Sequence, residues 1–251
     1  MRKLSSWLLL TAVLVLGGCA HPISIQPKVE NIERPAGAPE RFKAKVGYFI
    51  PQASLDLEVT TPGGGGDNVR YFPYRDIDAG FQRMLANVFE TAVRVASMPS
   101  SADMQRDGMT FILSPILITS SGSTGVFTWP PTNFSIDLTT HVRDGAGALV
   151  ASPRAVGAAS VGSILDMKGN FGLTGQLAMQ DALLKSQAML HEAVASKLAS
   201  IPTRSAPGSP GAARVMSPLE ERLRALRELR DKDLLTPEEY ERRRQQIVNS
   251  L

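Results

Sequence analysis

The sequence predicts an α+β fold: a two-layer sandwich of mostly antiparallel sheet with helices on one face, followed by a C-terminal helical hairpin. Three observations support this. The stretch FSIDLTTHV (134–142) alternates apolar and polar residues, which is typical of a strand with one solvent-exposed face. Two long stretches have apolar residues at helical spacing. Strand candidates lie between them, the order expected when helices cover one face of a sheet.

Residues 1–18 have the layout of a secretory signal peptide. Arg2 and Lys3 precede the apolar run WLLLTAVLVL, which is ten residues long. A membrane-spanning helix needs roughly 20 apolar residues, so this segment is predicted to be a cleaved leader and not a helical anchor.

The end of the leader carries a more specific pattern. Leu16-Gly17-Gly18-Cys19 resembles the lipobox of bacterial lipoproteins. The resemblance implies that the Cys19 thiol receives diacylglycerol, that cleavage occurs before it, and that palmitate-type chains anchor the protein. Because residue 20 is Ala and not Asp, it further implies the periplasmic face of the outer membrane, with the inner membrane second. An ordinary secretory signal with a chance cysteine, or a buried Cys19, are the alternatives.

Cys19 is the single cysteine of the chain, so no intramolecular disulfide can form. Residues 19–43 contain four prolines and little periodicity and are predicted to be the lipidated N-terminus and a loose tether. A periplasmic α+β domain is predicted over residues 44–201.

Within that domain the first strand is predicted at 44–51 and a helix from an Asp76 or Asp78 cap through residue 96. A strand at 109–119 is interrupted by Pro115, which indicates a sheet edge or a bulge. After 134–142, the turn RDGAG leads to a further strand around 149–163. A long helix follows at 174–199, with apolar positions that include Leu177, Leu184, Met189, Val194 and Leu198.

Residues 202–217 are rich in Pro, Ser, Gly and Ala and are predicted to be a flexible linker. Residues 218–251 then predict a helical hairpin. Its first helix has Leu219, Leu223, Leu226 and Leu229 on one face, and its second begins at the capping sequence Thr236-Pro237-Glu238-Glu239.

This tail resembles the short C-terminal domain family called SHOCT. The resemblance is carried by the leucine-spaced first helix, by Leu234-Leu235-Thr236, and by Glu238-Glu239-Tyr240. It implies an interaction or oligomerisation module, with these leucines and Tyr240 as candidate contact residues. Two short helices bury too little apolar surface to be stable alone, so their apolar face requires a partner. A solvated charged tail is the alternative.

Patterns that carry catalysis are not evident. Asp67 and Asn68 follow the four glycines at 63–66, where a phosphate loop needs Lys and then Ser or Thr, so a flexible loop is expected. The three histidines are far apart in the sequence and lack metal-ligand spacing. We expect neither a cofactor nor a metal, and no enzyme activity, although a serine nucleophile assembled from distant segments stays open.

The loop GVFTWPPTNF (125–134) contains the remaining candidates, Phe127 and Trp129. If the two rings project from the sheet, they form an apolar contact patch of the kind found at interface hot spots. The alternative is that they fold back over the edge of the core.

Charge argues against nucleic-acid binding. The chain has 27 basic and 24 acidic residues, and without Arg2 and Lys3 the two counts nearly match, so no overall field attracts phosphate polymers. The sequence thus predicts a non-enzymatic envelope lipoprotein that acts as an interaction or assembly accessory, loosely similar to small accessory lipoproteins of envelope assembly and transport. Its expected partners are the membrane, through the lipid, and a protein or second copy, through the hairpin. A periplasmic lipoprotein that binds a ligand, lipid or glycan is the alternative, and an envelope hydrolase is third.

Overall fold

The computed structural model describes residues 20–123, 129–162 and 164–200. The strands are β1 (Ala20–Pro22), β2 (Phe42–Tyr48), β3 (Val59–Gly64), β4 (Asp67–Tyr71), β5 (Phe89–Arg94), β6 (Met109–Gly122), β7 (Asn133–Asp144), β8 (Leu149–Ala151) and β9 (Arg154–Ser160). The α-helices are α1 (Gln52–Leu55), α2 (Pro73–Val88), α3 (Ser101–Arg106) and α4 (Leu173–Ser200), and 3-10 turns span Val29–Asn31 and Ile164–Met167.

The main sheet has the order β5-β2-β6-β7-β8, and β9 also pairs with β7. The β6–β7, β7–β8 and β7–β9 pairings are antiparallel, whereas β5 and β6 flank β2 in parallel. The parallel part arises because helices α2 and α3 return the chain to the start of the sheet before β5 and β6. The predicted α+β class is confirmed.

Helices α2 and α4 pack against each other and cover one face of the main sheet. The inward side chains of β7 (Phe134, Ile136, Leu138 and Val142) are buried with Phe81 and Leu85 of α2 and with Leu183 and Leu190 of α4. Close packing against α4 depends on Gly157 of β9, since a Cβ there would lie 2.2 Å from the Ala178 carbonyl oxygen. The short helix α3 covers a smaller cluster around Ile112 on the opposite face.

The predicted end of the first long helix is wrong. Helix α2 ends at Val88, and the residues expected to continue it form β5, which pairs in parallel with β2. On α4, Leu177 and Met189 are 40% and 44% exposed. Because α4 is apolar on several sides, the face that is buried is chosen by contacts with the sheet and α2, and not by local periodicity.

Pro115 lies within the long strand β6. The pairing of β6 with β2 ends at Leu113, so the missing N–H of Pro115 falls on a side that has no strand partner. Two residues further, the Leu117 N–H on the same side donates to the Tyr74 hydroxyl at 3.1 Å. The proline therefore marks a local edge, as its residue type predicts.

The N-terminal segment is not a loose tether. Ile25 and Ile32 are fully buried, and the Ile25 N–H donates to the Asp76 carboxylate of α2 at 2.8 Å. Residues 20–22 form β1, which pairs in parallel with β4. The prediction of a tether over residues 19–43 is therefore corrected for the described part, because isolated apolar residues without periodicity supply the contacts that hold it.

Strands β1, β4 and β3 form a second, small sheet. The glycine run that was expected to be a flexible loop is the turn of the β3–β4 hairpin, with Gly64 paired to Asp67. Gly65 and Gly66 have φ of 64° and 91°. Positive φ at both turn residues matches the twist of a two-residue hairpin and strongly favours glycine.

Candidate interaction surface

Trp129 lies at the end of the described body that carries strand β1. Strand β1 starts beside Asn68, next to the β3–β4 turn, and β6 ends where β7 and the last residue of β9 meet. The Ser123 hydroxyl donates to the Gly63 carbonyl at 2.8 Å and thus joins β6 to this turn. One end of the body therefore carries β1, the turn and Trp129.

The indole of Trp129 is packed between two other rings. The centroid of the His21 ring is 4.4 Å away, and that of Phe171 is 4.8 Å away in an edge-to-face arrangement. The indole also lies over Gly63, where a Cβ would be 3.0 Å from the Trp129 Cδ1 atom. The ring is thus folded back onto the body, which was one of the two alternatives for this loop.

Polar contacts around the ring do not include the indole itself. The Trp129 Nε1–H is buried without a hydrogen-bond partner among the described residues. His21 Nε2 lies 3.4 Å from a carboxylate oxygen of Asp67, so the imidazole bridges the turn and the indole. Among the described residues, the indole is therefore held by ring packing and not by a hydrogen bond of its Nε1–H.

The segment before α4 begins at this end, where the Val161 N–H donates to the Thr132 carbonyl at 2.9 Å, and two of its large apolar side chains are exposed. Leu165 is 86% exposed and Phe171 is 42% exposed. The segment is fixed where it meets the N-terminal chain, because a Cβ at Gly172 would lie 1.9 Å from the Ser24 carbonyl oxygen. We call His21, Trp129, Leu165, Phe171 and the turn 64–66 the Trp129 surface.

Asp76 holds the N-terminal chain against α2 just behind this surface. Its carboxylate accepts hydrogen bonds from the Ser24 hydroxyl at 3.1 Å and from the Ile25 N–H. Burial raises the pKa of Asp76, and these two hydrogen bonds oppose the rise. The arrangement positions the N-terminal segment against α2.

A second feature is a cavity of about 270 Å³ between residues 34–39, α2 and α4. The segment that covers it is clamped by polar contacts: the Asn87 amide donates to the Ile32 carbonyl at 3.0 Å and to Gln187 at 2.8 Å. His191 contacts the Glu40 carbonyl oxygen at 3.1 Å and stacks on Phe42. Most of the lining residues are small or apolar, chiefly proline and alanine, and Arg34, Asn87, Gln187 and His191 complete the wall. The apolar part of this lining suits an apolar occupant.

Within residues 20–123, 129–162 and 164–200, no three His, Cys, Asp or Glu side chains are placed as a metal ion would require. Over the same ranges, no helix has the length and apolarity needed to cross a membrane.

Most of the functional residues predicted from the sequence lie outside the part of the chain that the structure describes. These are Leu16, Gly17, Gly18, Cys19, Phe127, Leu219, Leu223, Leu226, Leu229, Leu234, Leu235 and Tyr240. Trp129 is described, and it lies beside three residues that sequence reasoning missed, namely His21, Leu165 and Phe171. Each of these is an isolated residue in an irregular segment, so only the tertiary fold brings them together.

Comparison with known families matches residues 221–247 to SHOCT, the Short C-terminal domain. The chain therefore carries a SHOCT segment at its C-terminal end. A comparison with curated protein sequences found no match.

Among solved structures, the chain is similar to a Xanthomonas campestris protein of family DUF330, with 10% identity, a TM-score of 0.48, and coverage of 72% of this chain and 99% of that one. A candidate lipoprotein of Caulobacter crescentus matches at 15% identity and a TM-score of 0.31, covering 55% and 88%. The PelC dodecamer of Paraburkholderia phytofirmans matches at 15% identity and a TM-score of 0.30, with coverage of 61% of this chain and 94% of that one. Values in this range do not by themselves indicate a shared function or assembly.

Proposed function

We propose that this protein is a lipid-anchored, non-enzymatic accessory of the cell envelope, standing on the periplasmic face of the outer membrane. Cys19 carries the lipid, the α+β body follows directly, and the SHOCT segment binds a second copy or a partner protein. The SHOCT match over residues 221–247 carries this proposal, because a short amphipathic hairpin needs another surface to bury its leucines.

The association is tested by deleting residues 218–251 and measuring the molar mass of the purified protein by light scattering, together with crosslinking and pull-down from membranes. We expect the full chain to form a larger species, or to retain a partner, that the deletion loses. An unchanged molar mass and unchanged partners would overturn the interaction role.

A matched pair of double variants separates the apolar face from general effects of substitution. Leu223→Gln with Leu226→Gln alters the predicted apolar face, whereas Arg224→Gln with Arg227→Gln alters the adjacent polar positions. Neighbouring positions point in different directions on a helix. The leucine variant is expected to dissociate the complex, and the arginine variant is expected to keep it.

The anchor is tested separately. Mass spectrometry of the N-terminal peptide is expected to show diacylglycerol and an amide-linked acyl chain on Cys19, and Cys19→Ser is expected to release the protein from salt-washed membranes. Sucrose-gradient fractionation then distinguishes outer from inner membrane. A Cys19→Ser protein that stays with washed membranes contradicts the lipid anchor.

The cavity beneath residues 34–39 favours one alternative, a lipoprotein that binds a small apolar ligand. Its volume of about 270 Å³ is close to the lower limit for a small-molecule site, roughly 300 Å³. Extraction and mass spectrometry of the chain truncated at residue 217 would reveal a co-purified lipid. Ala188→Trp, which fills the cavity from α4, is expected to abolish such retention.

A further inference from the structure

We propose that the Trp129 surface rests directly on the phospholipid bilayer, with Leu165 and Phe171 placed among the headgroups and the upper acyl chains. This inference rests on the proposed lipid anchor at Cys19, and it adds an orientation: the body touches the membrane by one defined end. The hairpin turn at 64–66 lies at the same end as these two side chains.

The chain next to Cys19 is part of the body and does not form a flexible tether. Cys19 is one peptide unit from Ala20, about 3.8 Å between Cα atoms, and Ala20 is already paired with Asn68 in the small sheet. The next residues stay attached, since the Ile23 N–H donates to the Arg70 carbonyl at 3.0 Å. A lipid on Cys19 therefore holds this end of the body at the bilayer, with no free chain between them.

This end of the body exposes large apolar side chains. Leu165 is the most exposed of the large apolar side chains among the described residues, at 86%, and Phe171 is 42% exposed. Phe171 packs edge-on against Trp129, at 4.8 Å between ring centroids, so the two rings form one aromatic cluster. Aromatic rings are enriched at the level of the lipid headgroups.

The charges at this end are mixed. Lys168 is exposed close to Leu165, and Asp67 and Asp166 are also near the surface. Because charges of both signs are present, electrostatic attraction to anionic lipid is small. Insertion of apolar side chains therefore makes the main contribution to membrane binding. The contact is therefore expected to depend only weakly on salt.

The opposite end of the sheet supplies a matched control. Leu149 is 50% exposed and pairs with Arg143, ten residues along β7 from Asn133, which places it about 33 Å from the Trp129 surface along the strand. Leu149→Asp and Leu165→Asp thus introduce the same charge at an exposed leucine, one far from the proposed contact and one within it.

The experiment uses two features of the sequence. In the chain from Cys19 onward, Cys19 is the single cysteine and Trp129 the single tryptophan. Coupling Cys19 to maleimide-bearing lipid anchors the protein on phosphatidylethanolamine–phosphatidylglycerol vesicles, and Trp129 emission then reports contact with acyl chains brominated near the headgroup.

We expect the emission of Trp129 to be several-fold lower on brominated than on unbrominated vesicles, with little change in high salt. Leu165→Asp is expected to lose most of this quenching, whereas Leu149→Asp is expected to keep it in full. Circular dichroism confirms that both variants are folded. Absence of quenching, or equal quenching in both variants, overturns the proposal. Absence of quenching on vesicles, together with crosslinks from position 165 to an envelope protein in isolated membranes, overturns it in favour of a protein partner.

Because the anchor is supplied chemically, the result does not depend on lipidation in the cell. An unmodified Cys19 in the native protein would contradict the proposed anchor, whereas quenching on vesicles would still support this surface as a membrane contact. The two failures are therefore distinguishable.

Discussion

At the scale of single residues, Tyr48 shows how a buried polar group is satisfied in this core. Its side chain is 1% exposed, and its hydroxyl donates to the Asp78 carboxylate at 2.9 Å. Asp78 also pairs with Arg94 at 2.7 Å. Burial, followed by the interaction with Asp78, raises the pKa of Tyr48 well above its ordinary value of 10.0.

This shift predicts a pH dependence of stability. A group whose pKa is raised on folding contributes stability below its unfolded pKa and loses it as pH rises beyond that value. The free energy of unfolding is therefore expected to fall above pH 10, the ordinary pKa of tyrosine. The free energy of unfolding of Tyr48→Phe is expected to be lower than that of wild type by about 1.5–3 kcal/mol at neutral pH. Above pH 10 it is expected to fall less steeply than that of wild type.

Urea denaturation between neutral pH and the alkaline range measures both effects. The difference in the free energy of unfolding between wild type and variant cancels the contribution of Tyr71, whose pKa is also raised by burial. If the free energies of unfolding of wild type and variant depend on pH in the same way, Tyr48 does not cause the loss of stability above pH 10.

At the scale of elements, the segment before β2 contributes to the core although it lacks regular periodicity. Ile25 is fully buried and lies against the first turn of α4, where a Cβ at Gly175 would be 2.2 Å from its Cγ2 atom. The segment therefore links β1 to both α2 and α4.

We expect Ile25→Ala to lower the free energy of unfolding by about 2–5 kcal/mol, because it removes a buried side chain and leaves a cavity. Lys28→Ala, at an exposed position three residues away, is expected to change it by less than about 0.5 kcal/mol. Urea denaturation measures both. Equal stability of wild type and Ile25→Ala would restore the interpretation of this segment as a loose tether.

Strand β5 shows why one element was misassigned from sequence. Phe89, Ala92 and Val93 fit a helical continuation of α2 as well as they fit a strand. The parallel neighbour β2 decides between the two, because its hydrogen-bonding groups pair with residues 89–94. Strand β7, in contrast, was identified with the correct inward side chains because alternation over nine residues has no helical equivalent.

At the scale of the whole molecule, the buried core of the described residues lies between Ile25 and Val194, upstream of the predicted linker. A chain that ends at residue 201 is therefore expected to have the same free energy of unfolding in urea as the full chain, within about 0.5 kcal/mol. A clear loss of stability on truncation would show that the C-terminal segment packs on the body.

The sequence by itself determined the α+β class, the long helices, the alternating strand β7 and the SHOCT-like tail, because each depends on local periodicity or on a short motif. Only the tertiary structure decided that the N-terminal segment is part of the body, that residues 89–94 form a strand, and that His21, Trp129, Leu165 and Phe171 share one surface. The physical reason is that these features depend on contacts between residues far apart in the chain, which no local pattern encodes. The same contacts bring the residue next to Cys19 to the end of the body that exposes Leu165 and Phe171.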